Sequence, residues 1–251
     1  MLNTFDVKTI LPLILFLHGE VGLQGEPLQQ ALLSLESFLV RRAVCGLTTK
    51  NYNRLFLQLV EGLRGKEDVN DALRTELLKG EGEAVAWPDD ATFSYAWLTK
   101  KLYNELKPSI RLQYILKRLE QAKRSAKNED IHIRSSLTIE HVMPVTWETH
   151  WPLPDGRMCK DSLERLLKDT PDPDADRRDQ LLHTIGNLTL LTQPLNSSLQ
   201  NGPWDEKQPE ITKQSALALN REFLDYPEWN EAKIEERGRN LLTHALVIWP
   251  R

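Results

Sequence analysis

A chain of 251 residues, 40% apolar and 27% charged, has the composition of a globular protein, and it can bury a core as one large domain or two modest ones. Its two cysteines, Cys45 and Cys159, lie far apart and form no CxxC pair, which argues against a disulfide framework and a cysteine-based zinc site and suits a reducing cytosol. The formal charge of −4 excludes a uniformly basic binder of nucleic acid. The apolar run Ile10–Leu17 is broken by Pro12, too short to span a bilayer and without a basic leader; it reads as a core helix, with no membrane role. Leu28–Val44 carries apolar residues at the spacing of one buried helix face, with Gly46 as a stop, and Tyr52–Leu63 repeats the pattern before Gly65. Val69–Leu78, Phe93–Leu106 and Ile110–Ala126 complete a helical segment punctuated at Gly80–Gly82, Trp87–Asp90 and Pro108.

Charge is unevenly placed along this segment. From Lys100 to Lys127 nine basic residues face two acidic ones, Glu105 and Glu120. Such a strip can neutralise phosphates whatever the global sum, and Arg111, Lys117, Arg118, Lys123 and Arg124 are its candidate DNA contacts. The competing reading of each one is a solvated helix face.

After Asn128–Asp130 the pattern changes to β-branched residues and turns, with Leu137–Val142 and Leu188–Leu191 as strand candidates. Between them lies an insertion rich in Trp, Pro and Asp, with a short helix expected at Ser162–Leu167 and a solvated acidic loop at Asp169–Asp179. From Pro209 helical spacing returns over Ile211–Phe223 and Trp229–Ile248. The expected plan is mainly α with a small α+β insert: a helical domain over 1–130, a core over 131–207 and closing helices over 208–251.

The first strand ends on Glu140-His141, with Pro144 three residues on. The second follows a Gly186-Asn187 turn, and Asn196 stands nine residues after Asn187. Hydrolysing a phosphodiester needs an activated water and neutralisation of charge on the phosphate and the leaving oxygen. A neutral histidine can supply the first and one divalent cation the rest. Mg²⁺ keeps several waters and favours oxygen ligands, so a carboxylate (Glu140) and an amide carbonyl (Asn196) suffice, with Mn²⁺ as the alternative. Adjacent residues on a regular strand face opposite ways, so His141 and Glu140 share a site only if the strand end bends. Asn187 is placed to hold the loop and the histidine backbone. His132, His150, His183 and Cys159 match no common zinc spacing. Trp97, Trp229 and Trp249 read as core, and Trp147, Trp151 and Trp204 are candidates to line a DNA groove.

Strand, turn, strand and following helix come in the order of a ββα-metal (HNH, His-Me finger) nuclease site. Ile139-Glu-His-Val-Met-Pro144, Ile185-Gly-Asn-Leu-Thr-Leu-Leu191 and Leu195-Asn-Ser-Ser-Leu-Gln-Asn201 with Trp204-Asp-Glu-Lys207 resemble the HNH domain of GmrSD-type restriction systems. Those are prokaryotic, modification-dependent (type IV) anti-phage nucleases. Phe38–Gly46 and the closing Ile234…Pro250 segment resemble the helices flanking that domain. The resemblance implies His141 as general base, Glu140 and Asn196 as ligands of Mg²⁺ or Mn²⁺, Asn187 in a positioning role and Lys207 as a phosphate or structural contact. Asn196 stands where many HNH enzymes have histidine, which favours an oxygen-ligated site.

Partners implied are double-stranded DNA, modified phage DNA in particular, and an upstream nucleotide-hydrolysing sensor, in a cytoplasmic setting. The Asp-Gly-Gln-Gln-Arg motif of such a sensor is not found here, nor is a Walker-type loop. The chain is therefore expected to be a C-terminal fragment or the separate nuclease partner of a two-gene system. One HNH site cuts one strand at a time, so double-strand breaks would need a homodimer or two successive nicks. The alternative is a non-catalytic docking module with a decayed HNH fold, against which every residue the chemistry needs is present.

Overall fold

Where apolar residues recur at helical spacing the chain coils, and the computed structural model describes residues 2–124, 133–159 and 172–251. Lys127, His132 and the helix expected at Ser162–Leu167 lie outside those residues. The described elements are mainly helical with one two-stranded sheet. They fall into two units, 1–96 with 245–251, and 97–244. Among the described residues no helix is long and apolar enough to cross a membrane.

The first unit holds α1 (Leu2–Phe5), α2 (Leu11–Leu15), α3 (Gly25–Val44), α4 (Tyr52–Leu63) and α5 (Val69–Leu78). α3 starts earlier than its apolar stripe because Pro27 is tolerated in a first turn, where an amide needs no helical partner. Its Arg41-Arg42 pair is buried and fully used. Arg41 donates to the carbonyls of Trp249 and Pro88 and to Asp90. Arg42 donates to the Tyr52 hydroxyl and to the carbonyls of Thr48, Glu83, Ala84 and Ala86. Two guanidinium groups thus satisfy loop carbonyls that burial would otherwise leave orphaned.

Two helices replace the single one expected over Phe93–Leu106. α6 (Asp90–Thr99) stops, and α7 (Leu102–Glu105) begins where the Tyr103 amide donates to the His183 carbonyl, 3.2 Å away. α8 (Ile110–Lys123) follows. β1 (Leu137–His141) pairs antiparallel with β2 (Leu188–Thr192), Leu137 opposite Thr192 and His141 opposite Leu188. The acidic stretch expected as a loop contains a helix, α9 (Pro173–Leu181), because Asp172 caps the Ala175 amide and Pro173 takes the first turn. α10 (Gln193–Leu199) leaves β2 directly and packs on both strands. α11 (Trp204–Gln214) starts before the expected Ile211, and the helix predicted to run to Phe223 breaks at Ser215–Leu217. α12 (Ala218–Arg221) then starts with the Glu120 carboxylate accepting from the amides of Ala218 and Leu219. α13 (Glu231–Ile248) is the last helix.

The second unit joins segments that the sequence assigns to three. Glu222 accepts from Arg237 Nε at 2.6 Å and pairs with Lys123 Nζ at 2.9 Å, linking α8 and α13 to the segment between them. Arg237 also donates to the carbonyls of Gly186 and Leu188 beside β2. Burial pushes the Glu222 carboxyl up, but Arg237 and Lys123 outweigh it and hold it below the usual range. A carboxyl depressed by folding contributes stability above its unfolded value near 4.5 and loses it as pH falls through the folded value. Glu222→Gln should therefore unfold at lower urea than wild type near neutral pH, and the gap should close on acidification below about 4.5. Urea midpoints taken across that range check it; a gap independent of pH would count against the ion pairs.

Gly186 sits against α13 so closely that an added Cβ would lie 2.0 Å from the Ile234 carbonyl oxygen. Backbone has to move to admit it. Gly186→Ala is expected to lower stability by about 1–3 kcal/mol or more, the range of overpacked cores. A thermal midpoint equal to that of wild type would mean that the helix slides away freely.

Candidate active site

Strand alternation puts Thr138 and Glu140 on one face of β1 and Ile139 and His141 on the other. The ladder stays regular through His141 and the chain bends only after it, at Val142–Met143, so no bent strand end brings His141 and Glu140 to one face as the sequence reading requires. Asn187 holds that bend. It is fully buried; its Oδ1 accepts from the Met143 amide (2.8 Å) and Trp229 Nε1 (3.1 Å), and its Nδ2 donates to the carbonyls of Met143 and Leu182. Its backbone carbonyl accepts from the Val142 amide. With its side chain saturated by these bonds, Asn187 holds the chain after His141.

On the first face the Glu140 carboxylate, 8% exposed, accepts from Lys207 Nζ at 2.5 Å. The same ammonium donates to the carbonyls of His141 (3.0 Å) and Val142 (3.1 Å) and is wholly buried. All three donors are taken, so Lys207 has none for DNA; of its two expected roles the structure places it in the structural one. Burial raises the Glu140 carboxyl above its ordinary value against the pull of Lys207, and burial lowers Lys207 in turn. Asn196, on α10, reaches the same face. Its Nδ2 donates to Thr138 Oγ1 (2.9 Å) and the Ile139 carbonyl (3.3 Å). Among the described residues its Oδ1 makes no hydrogen bond. Asn196 thus stands against Thr138 and Ile139, the two residues just before Glu140.

On the opposite face His141 Nε2 lies 2.9 Å from His183 Nδ1. Tyr103 packs against both imidazoles, edge-on to His141 at 4.4 Å and stacked on His183 at 5.7 Å between centroids. Lys107 Nζ sits 4.3 Å over the Tyr103 ring. Burial, His183, Lys207 and Lys107 together hold His141 down at about 3, so its imidazole is neutral at physiological pH. Burial and the nearby Lys101 and Lys107 also lower His183. In the sequence His183, like His150, reads either as an assistant near the active site or as an ordinary loop or helix residue; Lys107 belongs to the basic strip, and Tyr103 carries no motif. The one signal is that His183 stands three residues before Gly186, just ahead of the second motif.

The described members of the basic strip differ in exposure and pairing. Lys123 pairs with Glu222, and Arg124 Nε with Glu120 at 2.8 Å, so both serve packing rather than phosphate. Arg111 is half-buried, Arg118 donates to Gln121 at 3.1 Å, and Lys117 is exposed. Trp147, Trp151 and Trp204, expected as groove lining, are buried in an apolar cluster, with their indole N–H groups directed to Asp179, Gly202 and Tyr226. Trp97, Trp229 and Trp249 are buried, as the helical spacing predicts. Among the described residues no three His, Cys, Asp or Glu side chains gather as a metal cluster.

The family model described as GmrSD restriction endonucleases, C-terminal domain, matches residues 87–244. Neither the curated proteins nor the solved structures give a match.

Proposed function

The chain belongs to the C-terminal domain family of the GmrSD restriction endonucleases, and from that membership we propose that it is a metal-dependent endonuclease of an anti-phage restriction system. The observation that carries this reading is the gathering along one strand of Glu140, a neutral His141 and Asn196, the last bonded to Thr138 and Ile139. The order β1, β2, α10 with these residues supports an HNH, ββα-metal core. Glu140, with Lys207 holding one carboxylate oxygen, and Asn196, through its Oδ1, would hold Mg²⁺ or Mn²⁺. Such a cation neutralises charge on the phosphate and on the leaving oxygen. His141, on the face of β1 opposite Glu140, takes the proton of the attacking water in this reading, which requires the scissile phosphate to lie across the strand end. An imidazole that is unprotonated at working pH suits the task. Asn187 and Lys207 keep β1 and the bend after it in place. Phosphate contacts fall to the exposed Lys107 and Lys117, with Arg111 and Arg118 beside Lys117 on α8.

The substrate in this reading is double-stranded DNA, with modified phage DNA delivered by a nucleotide-hydrolysing sensor, in the cytoplasm. Paired cuts come from two copies of the domain or from two successive nicks. Supercoiled plasmid and phage-modified DNA, incubated with Mg²⁺ or Mn²⁺ and with EDTA, test it. Nicking or linearisation should stop with EDTA and return with excess Mg²⁺. Cleavage indifferent to the chelator would rule out the metal site.

A further inference from the structure

The contact between His141 Nε2 and His183 Nδ1 admits only two proton arrangements. At 2.9 Å one nitrogen carries the hydrogen and the other the lone pair. If His183 donated, neutral His141 would hold its proton on Nδ1 and its one lone pair would already be engaged, leaving no basic nitrogen. If His141 donates, its Nδ1 lone pair is free. We propose that His183 is the positioning residue for the base: its Nδ1 accepts the Nε2–H of His141, fixes that tautomer and leaves His141 Nδ1 to take the proton. The proposal rests on the reading of His141 as general base given above.

The surrounding packing makes His183 a fixed acceptor rather than a wandering side chain. Its carbonyl accepts from the Tyr103 amide, so the start of α7 is bonded to the backbone of the same residue. The Tyr103 ring stacks on His183 at an interplanar angle of 14° and meets His141 at 69°, bracing both imidazoles while their own planes stand at 80°. β1 holds the other partner, with His141 in register opposite Leu188. Neither ring can turn without losing an aromatic contact as well as the hydrogen bond. In the reaction the water proton passes to His141 Nδ1 as the water oxygen bonds phosphorus. The ester P–O bond breaks and its oxygen is protonated from solvent. A partner that fixes the tautomer of a working histidine acts as outer partners of metal-bound histidines do, where loss costs about 10–100-fold.

Nitrogen-15 spectra of the imidazoles in the full chain test the pair without requiring cleavage. Wild type should show His141 as the Nε2–H tautomer and His183 with an unprotonated Nδ1; His141 protonated on Nδ1 overturns the proposal. In plasmid cleavage, His183→Leu should lower kcat by about 10–100-fold with little change in KM. His183→Asn, whose amide oxygen can stand at the Nδ1 position as acceptor, should recover most of that loss. If the Leu and Asn variants behave alike, in activity and in the His141 tautomer, the positioning role is wrong. An active His141→Ala control would instead remove the general-base assignment beneath it, and the spectra would still decide the pair.

Discussion

His141→Ala is expected to lower metal-dependent DNA cleavage by about 10²–10⁴-fold, the contribution of a positioned general base. The reason lies in what the residue offers and what nothing beside it replaces. His141 is a neutral imidazole at working pH, held so by burial and neighbouring positive charge. Its neighbours on the same face are Tyr103, Lys107 and His183, and His183 is already bonded to it. The strand should survive the change, because the backbone of His141 pairs with Leu188 and its carbonyl accepts from Lys207. His141→Gln, closer in volume, separates lost chemistry from a packing defect. Single-turnover cleavage with saturating DNA is the measurement, and unchanged rates in both variants would sink the assignment.

Lys207→Met is expected to destabilise the second unit by about 3–5 kcal/mol, the usual result of removing one partner of a buried ion pair. Buried ion pairs are often no net gain in stability over well-packed apolar residues. Burial raises Glu140 and lowers Lys207, so each is pushed toward its neutral form despite the other. Removing only the cation is worse, since it leaves a carboxylate that is 8% exposed without its counter-charge. The carbonyls of His141 and Val142 lose their donor in the same step. Replacing both partners, as in a Glu140→Leu, Lys207→Met variant, should recover much of the stability while abolishing metal-dependent cleavage. Urea denaturation checks the first half and plasmid cleavage the second. A single Lys207→Met variant as stable as wild type would mean that Glu140 reaches water once the lysine is gone.

That both partners remain although apolar residues would pack more cheaply fits the role proposed for them. Lys207 holds one oxygen of Glu140 and two carbonyls at the exit of β1, so it sets the direction of the carboxylate and of the chain beyond His141.

Local pattern was enough for the elements whose partners are near in sequence. α4 and α5 have the bounds their apolar spacing predicts, because an amphipathic stripe and a closing glycine or cap suffice to start and stop them. β1 and β2 follow their β-branched runs within a residue. Where the stop comes from a distant group the sequence is silent. The helix over Phe93–Leu106 breaks where the Tyr103 amide finds His183, and that over Ile211–Phe223 breaks where Glu120 caps Ala218 and Leu219.

The candidate site divides the same way. Sequence alone determined the residue types and order that make a phosphodiesterase chemistry thinkable: Glu140, His141, Asn187 and Asn196 lie in short motifs, and motif spacing is local information. Only the tertiary structure decided which face each occupies, that Asn187 is saturated and Lys207 buried, and that Lys123 and Arg124 answer to Glu222 and Glu120 rather than to phosphate. It alone brought His183 and Tyr103 to His141. Burial, ion pairing and proton placement depend on groups far apart in the chain, and a linear pattern holds no record of the distance between them.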